Sequence, residues 1–309
     1  MGIYFSLFTA IFFGISNIFT RKGLEEHNIN RHLGMFINLV IVNLINFPVL
    51  LFFVIKEPLP EYNSSAIIFF MIAGLLNTFL GRTLLFTSIE LIGPSRAGSF
   101  KIIAPAIVII IGVFFLGETL KTASWVGSMA ILSGVFLISK ETKEKSSLLI
   151  SKNYRSKDNS DYYSSYKRGV LIGLLSGVTF GIGNIFRKLG ISLFPSFIVG
   201  VAIASSFALI CSVFFLIIRK EWKEAIIALK KYWLGNYFFT GMFTSFGLYS
   251  FFISLQTTPV SLANSIVASE SLFTMLFSSI ILGKSEQLRI STVFKASLIV
   301  LGLIILFFS

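Results

Sequence analysis

The feature that most constrains this chain is a series of apolar runs long enough to cross a lipid bilayer. About 20 residues suffice, because roughly 30 Å of hydrocarbon is spanned at a rise of about 1.5 Å per helical residue. Ten runs can be read: Ile3 to Thr20, Leu33 to Ile55, Ala66 to Thr87, Ala97 to Leu116, Ala123 to Ser139, Gly169 to Phe186, Pro195 to Ile218, Leu234 to Gln256, Ser261 to Leu282 and Thr292 to Phe308. None shows the apolar/polar alternation of a barrel strand. In lipid the backbone must satisfy its own hydrogen bonds, so each run is expected to be a helix. Only 13% of the residues are charged, about half the ~25% share of soluble domains. The chain reads as an all-α integral membrane protein of ten transmembrane helices.

One stretch, Lys140 to Arg168, breaks the pattern. It carries eight basic and four acidic residues among Ser and Asn, the signature of a solvated linker. The sequences on its two sides repeat each other. Phe13 to Phe19 is FGISNIF and Phe180 to Phe186 is FGIGNIF, six of seven residues recurring 167 positions apart, Phe13 to Phe180. Basic residues follow each copy, Arg21 and Lys22 in one case, Arg187 and Lys188 in the other. Gly81 and Gly117 recur as Gly247 and Gly283, 166 positions apart, the later pair of anchors lying in FFLGETL and IILGKSEQL. The expectation is two homologous halves, 1–139 and 169–309, joined by 140–168. Five spans per half is an odd number, so the second half enters the membrane in the opposite sense. Inverted five-helix repeats point to transport, with a site near the midplane between the halves. The alternative is a duplicated polytopic protein that moves nothing, such as a sensor or a lipid-modifying enzyme.

The net charge of +12 is carried mainly in loops, which fits a positive-inside bias better than a polyanion partner, so no nucleic acid is expected. The expected partners are the lipid bilayer and a small-molecule metabolite, with a homodimer as one open assembly. Lys and Arg concentrate in the loops after spans one, three, five, seven and nine, which on charge alone puts both termini outside the cell. The single cysteine, Cys211, excludes an intrachain disulfide, and with His27 and His32 the only histidines no Cys/His metal site can be built. No cofactor is expected. The sequence lacks a GxxxxGK[ST] loop and a nucleophile elbow, which argues against ATP-driven transport by this chain and against an enzyme. Met1 leads directly into apolar residues, with no charged n-region or cleavage site of a signal peptide evident.

Gly81 to Val135 carries the turn Gly93-Pro94-Ser95-Arg96-Ala97, a mid-helix Pro105, the helix end Leu116-Gly117-Glu118, and Gly127 and Gly134 in the fifth run. This stretch resembles the end of an EamA repeat of the drug/metabolite transporter superfamily. Gly247 to Gly302 resembles the same pattern with two departures: Ser271 stands at the proline position, and Lys284-Ser285-Glu286 replaces the Gly-Glu pair. The resemblance implies two inverted five-helix EamA repeats, a multi-pass protein of the cell membrane, and a secondary transporter, exporter or facilitator, whose site lies between spans one, three, four, six, eight and nine. It also implies cytoplasmic termini, opposite to the charge count. It does not specify the substrate, since members move many metabolites on one scaffold.

Charged side chains within a span cost about 3 kcal/mol on insertion scales and need a partner or an aqueous cavity. Arg82, Lys101 and Glu270 qualify. The repeat offset places Lys101 and Glu270 about one turn apart in depth on equivalent helices, which suggests an ion pair across the centre: a substrate or proton-coupling site, or a fixed bond between halves. Lys101 can also snorkel to an interface. Arg82 can clamp an anionic group, or pair with Glu90 or a helix-end carbonyl. Asn17 and Asn184, the centres of the repeated heptapeptide, read as ligand contacts or interhelical glue. Tyr249, with Phe13, Phe180 and Phe251, can line an apolar cavity. Asn38, Asn43 and Asn46 read as interhelical bonds, and Gly169, Gly173, Gly177 and Gly181 as a close-packing stripe. Glu118 reads as a helix end rather than a catalytic group.

Overall fold

The computed structural model describes residues 1–27, 29–56, 61, 63–92, 103–153, 159–281 and 290–308; within these, side chains are described except at 25, 27, 89, 138–153, 159–164, 279–280 and 290–295. Among the described residues every regular element is helical. In chain order the helices are α1 (Gly2–His27), α2 (Arg31–Lys56), α3 (Ser64–Ile92), α4 (Ile103–Phe114), α5 (Thr122–Asn153), α6 (Asn159–Leu193), α7 (Phe197–Ile218), a short α8 (Trp222–Tyr232), α9 (Asn236–Thr257), α10 (Val260–Val267), α11 (Glu270–Ile281) and α12 (Ile290–Phe308).

Among the described residues, seven stretches are long and apolar enough to cross a membrane: Gly2–Leu24, Arg31–Lys56, Ser64–Ile92, Ser165–Leu193, Phe197–Ile218, Asn236–Thr257 and Val260–Ser278. Three shorter apolar helices among the described residues are Ile103–Phe114, Thr122–Leu137 and Ala296–Phe308. Large apolar side chains such as Phe47, Phe114, Phe214 and Ile218 are exposed on the outer surface, where lipid rather than water is their solvent. Hydroxyls and amides such as Ser6, Thr9, Asn38, Asn77 and Thr244 are buried instead. Association of helices in lipid relies on close packing and interhelical hydrogen bonds, because burying apolar surface away from lipid gains little.

α1 packs along α9 and against α10 and α11; α6 packs along α3 and α4; α5 pairs with α12; α2 lies against α7 and α9. The α5–α12 seam depends on glycine, since a Cβ on Gly302 would stand 2.7 Å from the Gly127 carbonyl oxygen. α2 and α7 are joined by polar bonds: Asn43 Nδ2 donates to the Ser205 carbonyl at 3.1 Å, Ser206 Oγ donates to Asn43 Oδ1 at 3.0 Å, and Asn46 Nδ2 reaches Ser205 Oγ at 3.4 Å. Asn38 makes no such bond; both polar atoms of its amide are buried without a partner.

One end of the bundle gathers the start of α1, the ends of α6 and α9 and the start of α10; the Ser6 and Ser254 hydroxyls meet there at 2.5 Å. The other end gathers the end of α1, the start of α2 and the ends of α3 and α7. There Arg31 pairs with Glu90, and Asn236 donates to Glu26. α8 lies at this second end, its Ala225 and Ala228 buried against α2 and Ile227 exposed.

Two expectations are corrected. The sixth span does not stop at Phe186: Leu189, Ile191 and Leu193 keep the helix apolar up to Leu193, and Arg187 and Lys188 lie within it rather than in a loop. The ninth span is not one helix but two. Between α10 and α11 the i→i−4 ladder gives way to tighter bonds, from Ser269 N to Ile266 O, Ser271 N to Ala268 O and Leu272 N to Ser269 O. The hydroxyls of Ser269 and Ser271 take the Ile266 and Ala268 carbonyls. Serine back-bonding thus accompanies a break where the sequence has no proline.

Candidate functional site

Two spans, one widened and one broken, contribute to the centre. α3 contains a π-helical segment, Gly74–Gly81, between two α-helical pieces; such segments reset the direction in which side chains point and recur at functional sites. It carries the buried Asn77 and Thr78, and Arg82 follows it directly. The break in the ninth span makes Glu270 the first residue of α11, where a carboxylate complements the free N–H groups and positive end of the helix.

Asn17 Nδ2 on α1 donates to Glu270 Oε1 at 2.6 Å. Arg82 lies within the electrostatic reach of Glu270. Its Nη1 donates to Thr244 Oγ1 of α9 at 3.2 Å, and its guanidinium sits 5.6 Å from the Phe13 ring centroid. Thr244 in turn shares a 2.9 Å bond with Ser16. This first layer joins α1, α3, α9 and α11.

A second layer joins α3, α6, α9 and α10. Asn77 Nδ2 donates to Asn184 Oδ1 at 2.8 Å, and Asn184 Nδ2 donates to Asn264 Oδ1 at 2.5 Å. Arg187 donates from Nη1 to Asn184 Oδ1 at 3.4 Å and from Nη2 to Thr78 Oγ1 at 3.3 Å. Its guanidinium lies 5.6 Å and 5.4 Å from the Phe251 and Phe252 ring centroids. Arg187 is 4% exposed and Glu270 6%; each is a charge removed from solvent, which costs several kcal/mol unless compensated. The amide ladder needs a glycine beside it, because a Cβ on Gly183 would stand 2.7 Å from the Asn77 amide.

A sequence model of the EamA-like transporter family matches residues 1–140 and 167–308. The chain belongs to the EamA-like transporter family. Within this family membership, the chain is also 36% identical to the permease-like protein YdzE of Bacillus subtilis (strain 168) over 75 residues, 24% of this chain and 95% of that protein. A crystal structure of a protein 14% identical to it superposes with a TM-score of 0.66 over 97% of this chain and 94% of the other, a likeness of fold. The EamA family and the permease-like relative make this a multi-pass protein of the cell membrane with a transporter-type role.

Of the residues singled out from the sequence of this EamA-family protein, Asn17, Arg82 and Glu270 come together in the first layer and Asn184 lies in the second. Lys101 lies outside the described residues. Arg82 does not pair with Glu90, which is taken by Arg31. Tyr249 packs edge-on against Phe197 of α7, ring centroids 6.2 Å apart, with its buried hydroxyl unpartnered.

The sequence reading missed three residues. Arg187 was placed in a loop, although the apolar residues running on to Leu193 signal a continuing span. Nothing in the sequence sets Asn77 and Asn264 apart; only the fold shows that they bracket Asn184. Glu118 does follow a helix end, with Gly117 at φ +65°, but its carboxylate has a further task. It accepts from Val260 N at 2.6 Å, Ser261 N at 3.1 Å and Ser261 Oγ at 2.6 Å, capping α10 from the other half of the chain. At the same end Lys188 Nζ donates to the carbonyls of Leu255 at 2.7 Å and Thr258 at 3.1 Å, a cation on the negative end of α9.

Proposed function

We propose that the protein is a secondary transporter, exporter or facilitator, of a small organic metabolite. Ten spans form two inverted five-helix repeats, 1–139 and 169–309, joined by 140–168, and the substrate passes between them by alternating access. The observation that carries this reading is the polar centre: two layers of charged and amide side chains, contributed by both halves, are buried within helices long and apolar enough to cross a membrane. An enzyme acting on lipid would need such a cluster open to one face, whereas a transporter needs it at depth.

Paired contacts support the repeat. A Cβ on Gly14 would stand 3.3 Å from the Glu270 carbonyl oxygen, and one on Gly181 3.1 Å from that of Ala104. Gly14 and Gly181 are 167 positions apart, Ala104 and Glu270 166, so one contact is the image of the other. Phe13 against Gly247 and Phe180 against Gly81 form a second such pair. Two halves that pack on each other through equivalent contacts can exchange conformations at little net cost, which is the basis of alternating access.

The test is counterflow in proteoliposomes across amino acids, organic acids, sugar phosphates and amphiphilic cations. The wild type is expected to exchange at least one class, and Glu270→Gln to abolish exchange while remaining inserted and monodisperse. Wild-type rates in E270Q, or no exchange of any class, would overturn the reading.

A further inference from the structure

The two layers are unbalanced in charge. Among the described residues the centre holds two guanidinium groups, Arg82 and Arg187, and one carboxylate, Glu270, whose field acts on Arg82. Arg187 makes no ion pair among the described residues; its hydrogen bonds go to the neutral Asn184 and Thr78. Arg187 is nonetheless the more deeply buried of the two arginines.

Its hydrogen bonding is incomplete as well. A guanidinium offers five donors in a rigid fork. The two bonds it makes, at 3.3 Å and 3.4 Å, are longer than the usual N–H···O range, and buried Nε has no partner. The rings of Phe251 and Phe252 hold the plane from the side. A buried cation with spare donors, fixed in place and with no carboxylate bonded to it among the described residues, is a site built for an anion that comes and goes.

From this geometry we infer that the transported metabolite is a small organic anion whose carboxylate or phosphate binds Arg187, with Arg82 as the second cation of the site. Thr78 and Asn184 orient the Arg187 fork, and the Glu270 carboxylate offsets the charge of Arg82 while the site is empty. An arriving anion competes with Glu270 for Arg82, so binding loosens the Asn17–Glu270 contact between α1 and α11. The inference rests on the transport reading above and adds the substrate class to it.

The experiment is thermal stabilisation of the purified full-length protein by succinate, glutamate and glycerol 3-phosphate, set against succinamide, glucose and putrescine. Binding to the folded state raises the melting temperature. At least one anion is expected to stabilise the wild type, carboxylate and phosphate probes identifying which group fits. That effect should vanish in Arg187→Gln and weaken about tenfold or more in Arg187→Lys, which keeps charge but loses the fork. Silence of all three anions, equal response to succinate and succinamide, or an undiminished response in R187Q would overturn the inference. Should R187Q fail to fold, the succinate–succinamide comparison on wild type decides alone. Counterflow separates the two claims: an anion that binds but is not exchanged overturns transport, and exchange of cations or neutral solutes alone overturns the anion site.

Discussion

Glu118→Ala removes one carboxylate that serves as the N-terminal cap of a helix in the other half of the chain. The carboxylate accepts three hydrogen bonds, from Val260 N, Ser261 N and Ser261 Oγ, at 2.6 Å, 3.1 Å and 2.6 Å. Loss of a capping side chain costs about 0.5–2 kcal/mol, and hydrogen bonds to a charged acceptor lie at the upper end of the usual range. Glu118 is partly exposed, so water recovers some of the lost bonding, and a cost of about 1–2 kcal/mol follows. For a chain of this size that corresponds to roughly 2–8 °C in melting temperature. Tryptophan fluorescence during heating of the detergent-solubilised protein measures it, with Thr119→Ala, an exposed neighbour in the same turn, as control. Glu118→Gln keeps an acceptor without the charge and should lose about half as much. If E118A melts with the wild type and with T119A, the cap contributes nothing and the bridge between the halves is not a stabilising contact.

Two further outcomes follow from the geometry. Gly183→Ser makes the second heptapeptide identical to the first; its Cβ would meet the Asn77 amide at 2.7 Å, so the Asn77–Asn184 bond should break, with a loss of about 1–3 kcal/mol of stability. A thermal scan that leaves G183S unchanged would contradict that ladder. For orientation, T119C and K223C in a C211S background, treated with a membrane-impermeant maleimide in intact cells, report the two ends of the bundle. The charge count expects labelling of T119C alone, and labelling of K223C alone would favour the cytoplasmic termini that the family implies.

Much of this architecture could be read in the sequence, because lipid leaves a chain few choices. Apolar length alone gives helices, and the FGISNIF and FGIGNIF copies give the expectation of two halves. Asn17, Arg82 and Glu270 announce themselves because a polar group inside an apolar run is conspicuous. The reading fails where charge and span boundary are confused. Arg187 follows a phenylalanine that looked like a span end, and adjoining Lys188 made the pair resemble a loop, whereas Lys188 caps α9 within the same continuing helix. The break before Glu270 was hidden for a different reason. Its sequence has no proline, and serine hydroxyls that compete for helix carbonyls leave no signature in hydropathy.

The single difference between the two heptapeptide copies shows how duplicated sequence acquires distinct roles. At the fourth position of the motif the first copy has Ser16, whose hydroxyl bonds Thr244 and the Thr240 carbonyl and so ties α1 to α9. The second has Gly183, and the missing side chain is what lets Asn77 reach Asn184. One substitution therefore exchanges a hydroxyl bond between helices for space that an amide ladder occupies. That ladder orients Arg187, whereas the corresponding amide in the first copy, Asn17, holds the carboxylate of Glu270. The repeat thus presents a cation from one copy of the motif and secures an anion with the other. Such a centre has symmetric packing but asymmetric charge, and under the alternating access proposed above the halves would exchange shape while the polar site keeps one charge preference.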